Sequence, residues 1–230
     1  MKNVKCINRK SLYMILSVII CSAAMSFVDA VIQPQYIIKS LIKLVLFLVV
    51  PIVYFLINKK DAGGVKKLFK PKGKDLLRAL LLGAAVYGVI VGGYFLLRGV
   101  IDFSALTESL TKNIGVSAEN FIYVSLYISL VNSFLEEFFF RGFAFINLKS
   151  VSGRAFAYVF SALLFALYHS GMTAGFDPVI FVLALIGLFA AGVMFNFLNE
   201  KSENIYTSWL VHMFANFGIN TIGFIVFGII

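Results

Sequence analysis

Seven apolar runs constrain this chain more than any other feature of its sequence. A helix that crosses a bilayer needs about 20 mostly apolar residues. The runs show no alternation of apolar and polar residues, so we interpret them as helices, which satisfy their own backbone hydrogen bonds in lipid. Their predicted bounds are Leu12–Ile32, Leu41–Asn58, Leu76–Leu97, Phe121–Phe145, Ala155–His169, Pro178–Leu198 and Ile205–Ile230. With a possible break of the last run near Gly218, the sequence predicts an all-α, polytopic transmembrane helix bundle of seven or eight spanning helices.

The composition agrees with a membrane protein. Hydrophobic residues make up 60% and charged residues 13% of the chain, whereas a soluble domain is nearer half apolar and a quarter charged. The net charge of +9 would suit a nucleic-acid partner, but the main basic cluster, Lys59–Arg78, lies between two apolar runs. Cytoplasmic loops of membrane proteins collect positive charge in this way. We therefore expect no nucleic acid and place anionic lipid near Lys59–Arg78.

The basic residues also predict an orientation. The first ten residues carry four basic side chains, and the apolar stretch that follows them resembles a signal peptide. That stretch is long for a cleaved signal and further spans follow, which favours an uncleaved first helix. We expect an integral membrane protein with a cytoplasmic N-terminus. A composition rich in Lys and Ile and poor in Pro favours an AT-rich bacterial genome, and we therefore expect a bacterial plasma membrane.

Ionisable side chains within the apolar runs are the candidates for function. Glu136, Glu137, Arg141, His169 and His212 lie in such runs, and we expect nearly all other charged residues in loops or at span edges. A charge at the bilayer centre costs at least about 2.5–3.5 kcal/mol, so residues of this kind are functional candidates by default.

Helical spacing groups these side chains. Glu137 and Arg141 are four residues apart with the acid first, the favourable order for an ion pair. Glu136 is turned by about 100° from Glu137 and faces elsewhere. Two further pairs share the four-residue spacing, Phe165 with His169 and His212 with Asn216. Singly, each pair could be structural; together they indicate one site.

Chain length permits these helices to share a site. Glu136 lies about 14 residues before a turn near Ser150, and His169 about 19 residues after it, which at 1.5 Å per residue leaves a depth difference of about 7 Å. A short re-entrant segment through Gly142–Ser152 would absorb that difference. A shared site is therefore feasible.

The three motifs, in this order on separate helices, resemble those of the CPBP family. This family comprises CAAX prenyl endopeptidases and bacteriocin-processing or self-immunity proteins, often labelled Abi. The resemblance covers about Glu119 to Ile230 and includes Ser161, while the short tail after Asn216 departs from the family's eighth helix. It implies a catalytic helical core, residues 119–230. The first three helices carry no family signature, and we interpret residues 1–118 as an N-terminal three-helix region of the same membrane domain.

The resemblance implies an intramembrane glutamate endopeptidase that acts on a membrane-associated or lipidated peptide or protein. Glu136 with His169 would activate water, and His212 with Asn216 would donate hydrogen bonds to the oxyanion. The residue types suit this chemistry, because apolar surroundings make a carboxylate a stronger base and fixed amide or imidazole donors stabilise an oxyanion. The supporting residues would be Glu137, Arg141 and Phe165.

Three alternatives remain open at this point. Glu136, His169 and His212 would also suit a catalytic zinc ion, although the compact H-E-x-x-H arrangement is missing and we favour a reaction without cofactor. A proton-coupled transporter could use the same residues as a relay. A non-catalytic immunity protein that binds a partner in the membrane is the third.

Overall fold

The computed structural model describes residues 9–58, 68–99, 117–173 and 177–230. Of these residues 88% are helical and none forms a strand. Seven helices in the described ranges are long and apolar enough to cross a membrane, which confirms the predicted all-α membrane bundle. The basic cluster Lys59–Arg78 lies partly outside the described residues, since its first nine positions, 59–67, are among those not described.

The helices follow the predicted runs closely. They are α1 Arg9–Ile32, α2 Tyr36–Ile57, α3 Gly73–Leu97, α4 Phe121–Ser152, α5 Arg154–Thr173, α6 Pro178–Ser202 and α7 Tyr206–Val226. The expected break near Gly218 is wrong, because α7 continues through it to Val226. Gly218 instead allows a close approach to α3, where a Cβ in its place would lie 3.1 Å from Ile90.

The turn between α4 and α5 falls at Gly153, later than the sequence analysis assumed. Gly153 has φ +99°, a conformation that glycine adopts at little cost. Counted from this turn, Glu136 lies 17 residues back and His169 16 residues on, so the two arms match in length. The predicted re-entrant segment through Gly142–Ser152 is therefore wrong: α4 is helical to Ser152.

Four π-helical segments interrupt the α-helical geometry of α1, α2 and α4. They are Val28–Ile32, Val45–Val49, Tyr127–Asn132 and Glu137–Phe145. Such segments re-aim the side chains around them and are frequent at functional sites. Two of the four lie in α4, and Glu136 ends the short α-helical stretch between them.

Helix α4 forms the centre of the bundle. In the most apolar 18-residue stretch of α4, 44% of the residues are buried. In the corresponding stretch of α3 only 6% are buried, so α3 faces outward along most of its length. The ring of Phe47 on α2 is stacked on Phe139 of α4, with centroids 4.2 Å apart and planes within 3°. Phe47 also contacts Phe140 and Tyr168 edge-on. An aromatic core thus joins α2, α4 and α5 beside the candidate site residues.

Candidate active site

The two carboxylate oxygens of Glu136 have different surroundings. Oε1 accepts a hydrogen bond from Nδ2 of Asn132 at 2.7 Å and another from the hydroxyl of Tyr168. The ammonium of Lys43 also donates to Oε1, at 3.4 Å. Oε2 is buried and accepts no hydrogen bond from the described residues. One oxygen is therefore held by donors, while the other remains able to accept a proton.

Both histidines direct a ring nitrogen at the free oxygen. Nε2 of His169 lies 3.8 Å and Nε2 of His212 lies 3.6 Å from Oε2 of Glu136. Nδ1 of His169 is 2.7 Å from the carbonyl oxygen of Phe165, and Nδ1 of His212 is 3.0 Å from Oε1 of Glu137. Because these oxygens only accept, Nδ1 carries the hydrogen in each ring. In the neutral rings the bare Nε2 atoms then face Glu136.

This arrangement brings three acceptors together. Oε2 of Glu136 and the two bare Nε2 atoms would repel one another unless a hydrogen-bond donor or a cation lay among them. A water molecule has two O–H groups and suits such a place. The geometry can therefore orient a water and accept one of its protons, as general-base catalysis requires.

The predicted ion pair between Glu137 and Arg141 is confirmed. Nη1 of Arg141 lies 3.0 Å from Oε1 of Glu137, and both side chains are fully buried. The guanidinium lies over the rings of Phe165 and Phe195, 4.2 and 4.9 Å from their centroids. Since Glu137 also contacts Nδ1 of His212, it fixes that ring while Arg141 balances its charge.

Phe165 packs between the two histidines. Its ring centroid lies 4.8 Å from that of His169 and 5.8 Å from that of His212. Its side chain is buried. Phe165 therefore separates the imidazoles and carries the cation of Arg141 on its face.

Asn216 is not brought into direct contact with the other candidates. Its Nδ2 donates to the backbone oxygen of Ile128 at 3.1 Å, within a π-helical segment of α4. Among the described residues it forms no hydrogen bond with Glu136, His169 or His212. An amide carries two N–H donors, and its assignment to the oxyanion remains a prediction.

Sequence analysis missed the groups that hold Oε1 of Glu136. The expectation that other charges lie in loops or at span edges is wrong for Asp29, Lys39 and Lys43, which are all buried. Lys39 pairs with Asp29 at 2.5 Å. The available signal was the four-residue spacing of Lys39 and Lys43, which puts both on one face of an apolar helix. The missed partners of Glu136 are Lys43, Asn132 and Tyr168.

The residues give weak support to a zinc site. A carboxylate and two imidazoles are ligands that zinc accepts. In the described part of the chain, however, no group of three or more His, Cys, Asp or Glu side chains is arranged to hold a metal ion. The ammonium of Lys43 already supplies a positive charge next to Glu136. We therefore derive no step through a metal.

Comparison with known families points to the same helices. The family described as type II CAAX prenyl endopeptidase, Rce1-like, matches residues 118–218. The matched segment covers less than half of the 230-residue chain. It contains all three motifs, from Glu136 to Asn216, so the resemblance to the CPBP family is confirmed. At the family level the match supports an intramembrane CAAX-type protease, and together with the seven apolar helices it supports an integral membrane protein. No significant match was found among curated proteins or solved structures.

Proposed function

We propose that this Rce1-like protein is a metal-free endopeptidase that hydrolyses a peptide bond in a membrane-associated or lipidated substrate. The observation that carries the proposal is the free Oε2 of Glu136, faced by the Nε2 atoms of His169 and His212. A base, a place for a water molecule and two imidazole nitrogens therefore meet at one buried point.

The first step is the attack of water on the scissile carbonyl. Water bound between Oε2 of Glu136 and Nε2 of His169 transfers a proton to Oε2 while its oxygen bonds to the carbonyl carbon. The carbonyl π electrons move to the carbonyl oxygen, which becomes an oxyanion. Protonated Glu136 then gives the proton to the amide nitrogen as the C–N bond breaks. The oxyanion re-forms the C=O bond, and the products are a carboxylic acid and an amine, which become the carboxylate and the ammonium when the remaining proton moves to the amine.

His212 can stabilise the oxyanion only when its ring is protonated. Its Nδ1 hydrogen is directed at Glu137, so Nε2 donates to substrate only in the imidazolium form. The carboxylate of Glu137 stabilises that cation. In an unrelated protease, the removal of one oxyanion donor costs about 3–4 kcal/mol. A remaining amide hydrogen of Asn216 is the second candidate donor.

The first prediction concerns Glu136→Gln. We expect cleavage to fall by about 10²- to 10⁴-fold, the usual contribution of general acid–base catalysis, with normal expression. The assay uses an internally quenched, farnesylated peptide that ends in a CAAX sequence, with the same peptide lacking the lipid as a second arm. The matched control is Glu200→Gln, because Glu200 pairs with Arg154 and Lys149 away from this site. Unchanged cleavage by Glu136→Gln contradicts the proposed function.

The metal-free reaction is tested by measuring zinc in chelator-washed enzyme. We expect activity to persist without bound zinc. Stoichiometric zinc that is lost together with activity would show that Glu136, His169 and His212 bind the metal instead.

The two non-enzymatic alternatives make different predictions. The buried pairs Asp29–Lys39 and Lys43–Glu136 are what a proton relay would use, and such a transporter would move protons across proteoliposomes. An immunity protein would still protect cells after Glu136→Gln. We expect neither result from a peptidase.

A further inference from the structure

Lys43 reaches the site from α2, outside the segment that matches the family. Its ammonium is buried and donates to Oδ1 of Asn132 at 2.6 Å and to the hydroxyl oxygen of Tyr168 at 2.8 Å. The contact with Oε1 of Glu136 is longer, at 3.4 Å. The shorter contacts therefore go to the two neutral side chains that themselves bind Glu136.

An ammonium group fixes the direction of both of these hydrogen bonds, because it has donors and no acceptor. Asn132 must present its oxygen to Lys43, which leaves its NH₂ group for Glu136. Tyr168 must accept from Lys43, which leaves its own O–H for Glu136. Two chains of hydrogen bonds thus start at Lys43, one through Asn132 and one through Tyr168, and both donate to Oε1 of Glu136. We call these two chains the relays.

We propose that Lys43 is a positioning residue of the peptidase: it orients Asn132 and Tyr168 so that they hold Oε1 of Glu136 and leave Oε2 as the proton acceptor. The inference rests on the proposed function. It adds a required residue from the N-terminal helices and distinguishes the two oxygens of the base.

The charges around Lys43 are otherwise paired. Lys39, one turn earlier on α2, is bound to Asp29 of α1, and Arg141 is bound to Glu137. The titratable groups that face Lys43 or Glu136 are Asp29, Tyr36, Lys39, Tyr127, Glu137, Arg141, Tyr168, His169 and His212. Within this set Lys43 is the group that starts the relays to Oε1.

The test compares Lys43→Met with Lys39→Met. Both changes remove a buried ammonium from the same face of α2, but only the first removes the relays. We expect Lys43→Met to lower kcat by about 10²-fold, the scale of a small misplacement of a catalytic group, with little change in KM. Lys39→Met leaves Asp29 without its cation and should lower stability, but the folded variant should keep the kcat of the unaltered protein. Equal kcat values for the two variants, or a kcat that rises in Lys43→Met, would overturn the proposal.

A double-mutant cycle separates positioning from general damage. Tyr168→Phe removes the hydroxyl of one relay. If Lys43 acts through that hydroxyl, the double variant loses less kcat than the two single losses combined, as expected for residues in one network. Additive losses would mean that Lys43 does not act through Tyr168.

Chemical labelling of Glu136 tests the role of Lys43 without a cleavage assay. Dicyclohexylcarbodiimide modifies protonated carboxyl groups within membranes, and mass spectrometry locates the adduct. We expect low labelling of Glu136 in the unaltered protein and in Lys39→Met, and much higher labelling in Lys43→Met. Equal labelling of Glu136 in the two variants would overturn the role of Lys43. If the unaltered protein does not cleave the peptide, that result would count only against the proposed function.

Discussion

Glu137 contacts two partners with one oxygen. Oε1 lies 3.0 Å from Arg141 and 3.0 Å from His212, and all three side chains are buried. A buried charge that loses its partner is costly, more so than the absence of the whole pair. Arg141 is therefore needed for stability as long as Glu137 keeps its charge.

Arg141→Met should destabilise the protein by about 3–5 kcal/mol, because it leaves the carboxylate of Glu137 buried without a cation. The double variant Glu137→Gln with Arg141→Met should recover part of that loss, since glutamine still offers an oxygen to His212. Unfolding in SDS can be followed by the fluorescence of Trp209, the single tryptophan of the chain. A double variant less stable than Arg141→Met would contradict this account.

At the residue scale, the sequence predicted the three motifs and the Glu137–Arg141 pair, because each of them depends on a four-residue spacing within a single helix. It did not predict Lys43. A lysine near the end of a span can extend its ammonium to the interface, and only the packing of α2 against α4 turns it inward. The burial of Asp29 and Lys39 was missed because it depends on the contact between α1 and α2, where the two side chains pair.

Among the helices, α3 approaches α7 closely at Gly83. A Cβ at Gly83 would lie 2.9 Å from the ring of Phe214 on α7. The hydroxyl groups of Tyr87 and Thr221 are 3.2 Å apart across the same interface. Gly88, on the outward side of α3, would meet no atom within 4 Å. These two glycines therefore provide a matched pair for testing the α3–α7 contact.

Gly83→Leu should destabilise the bundle by about 1–3 kcal/mol, the usual cost of overpacking, whereas Gly88→Leu should not. Both changes add the same side chain to the same helix, so differences in helix propensity cancel. The SDS unfolding assay measures both variants, and cleavage activity reports whether α7 still places His212. Similar unfolding of the two variants would show that the Gly83 contact is unimportant.

At the element scale, hydropathy placed all seven helices, because length and apolar composition alone identify a span. It could not place the π-helical segments, since the same apolar residues fit either helical form. The turn at Gly153 was readable in principle, as glycine before a basic residue between two apolar runs. Its exact position decided whether Glu136 and His169 could meet without a re-entrant segment.

For the molecule as a whole, ion pairs at the ends of helices agree with the predicted orientation. Glu200 near the end of α6 binds Arg154 at the start of α5 and Lys149 near the end of α4. These ends therefore lie on one side of the bundle. With a cytoplasmic N-terminus and alternating spans, that side is the cytoplasmic one and carries the basic residues that the positive-inside rule requires. The orientation itself remains a prediction.

The ring of Phe47, stacked on Phe139, has a consequence for dividing the chain. Residues 119–230 contain every family motif, yet this fragment would expose Phe139 and lose the ammonium beside Glu136. We expect it to be inactive when produced alone. Co-expression with residues 1–118 should restore cleavage by complementation, because the ring contacts of Phe47 and the hydrogen bonds of Lys43 join the two fragments. Full activity of residues 119–230 alone would show that the N-terminal helices are an accessory, and the failure of complementation would show that the covalent connection is needed for assembly.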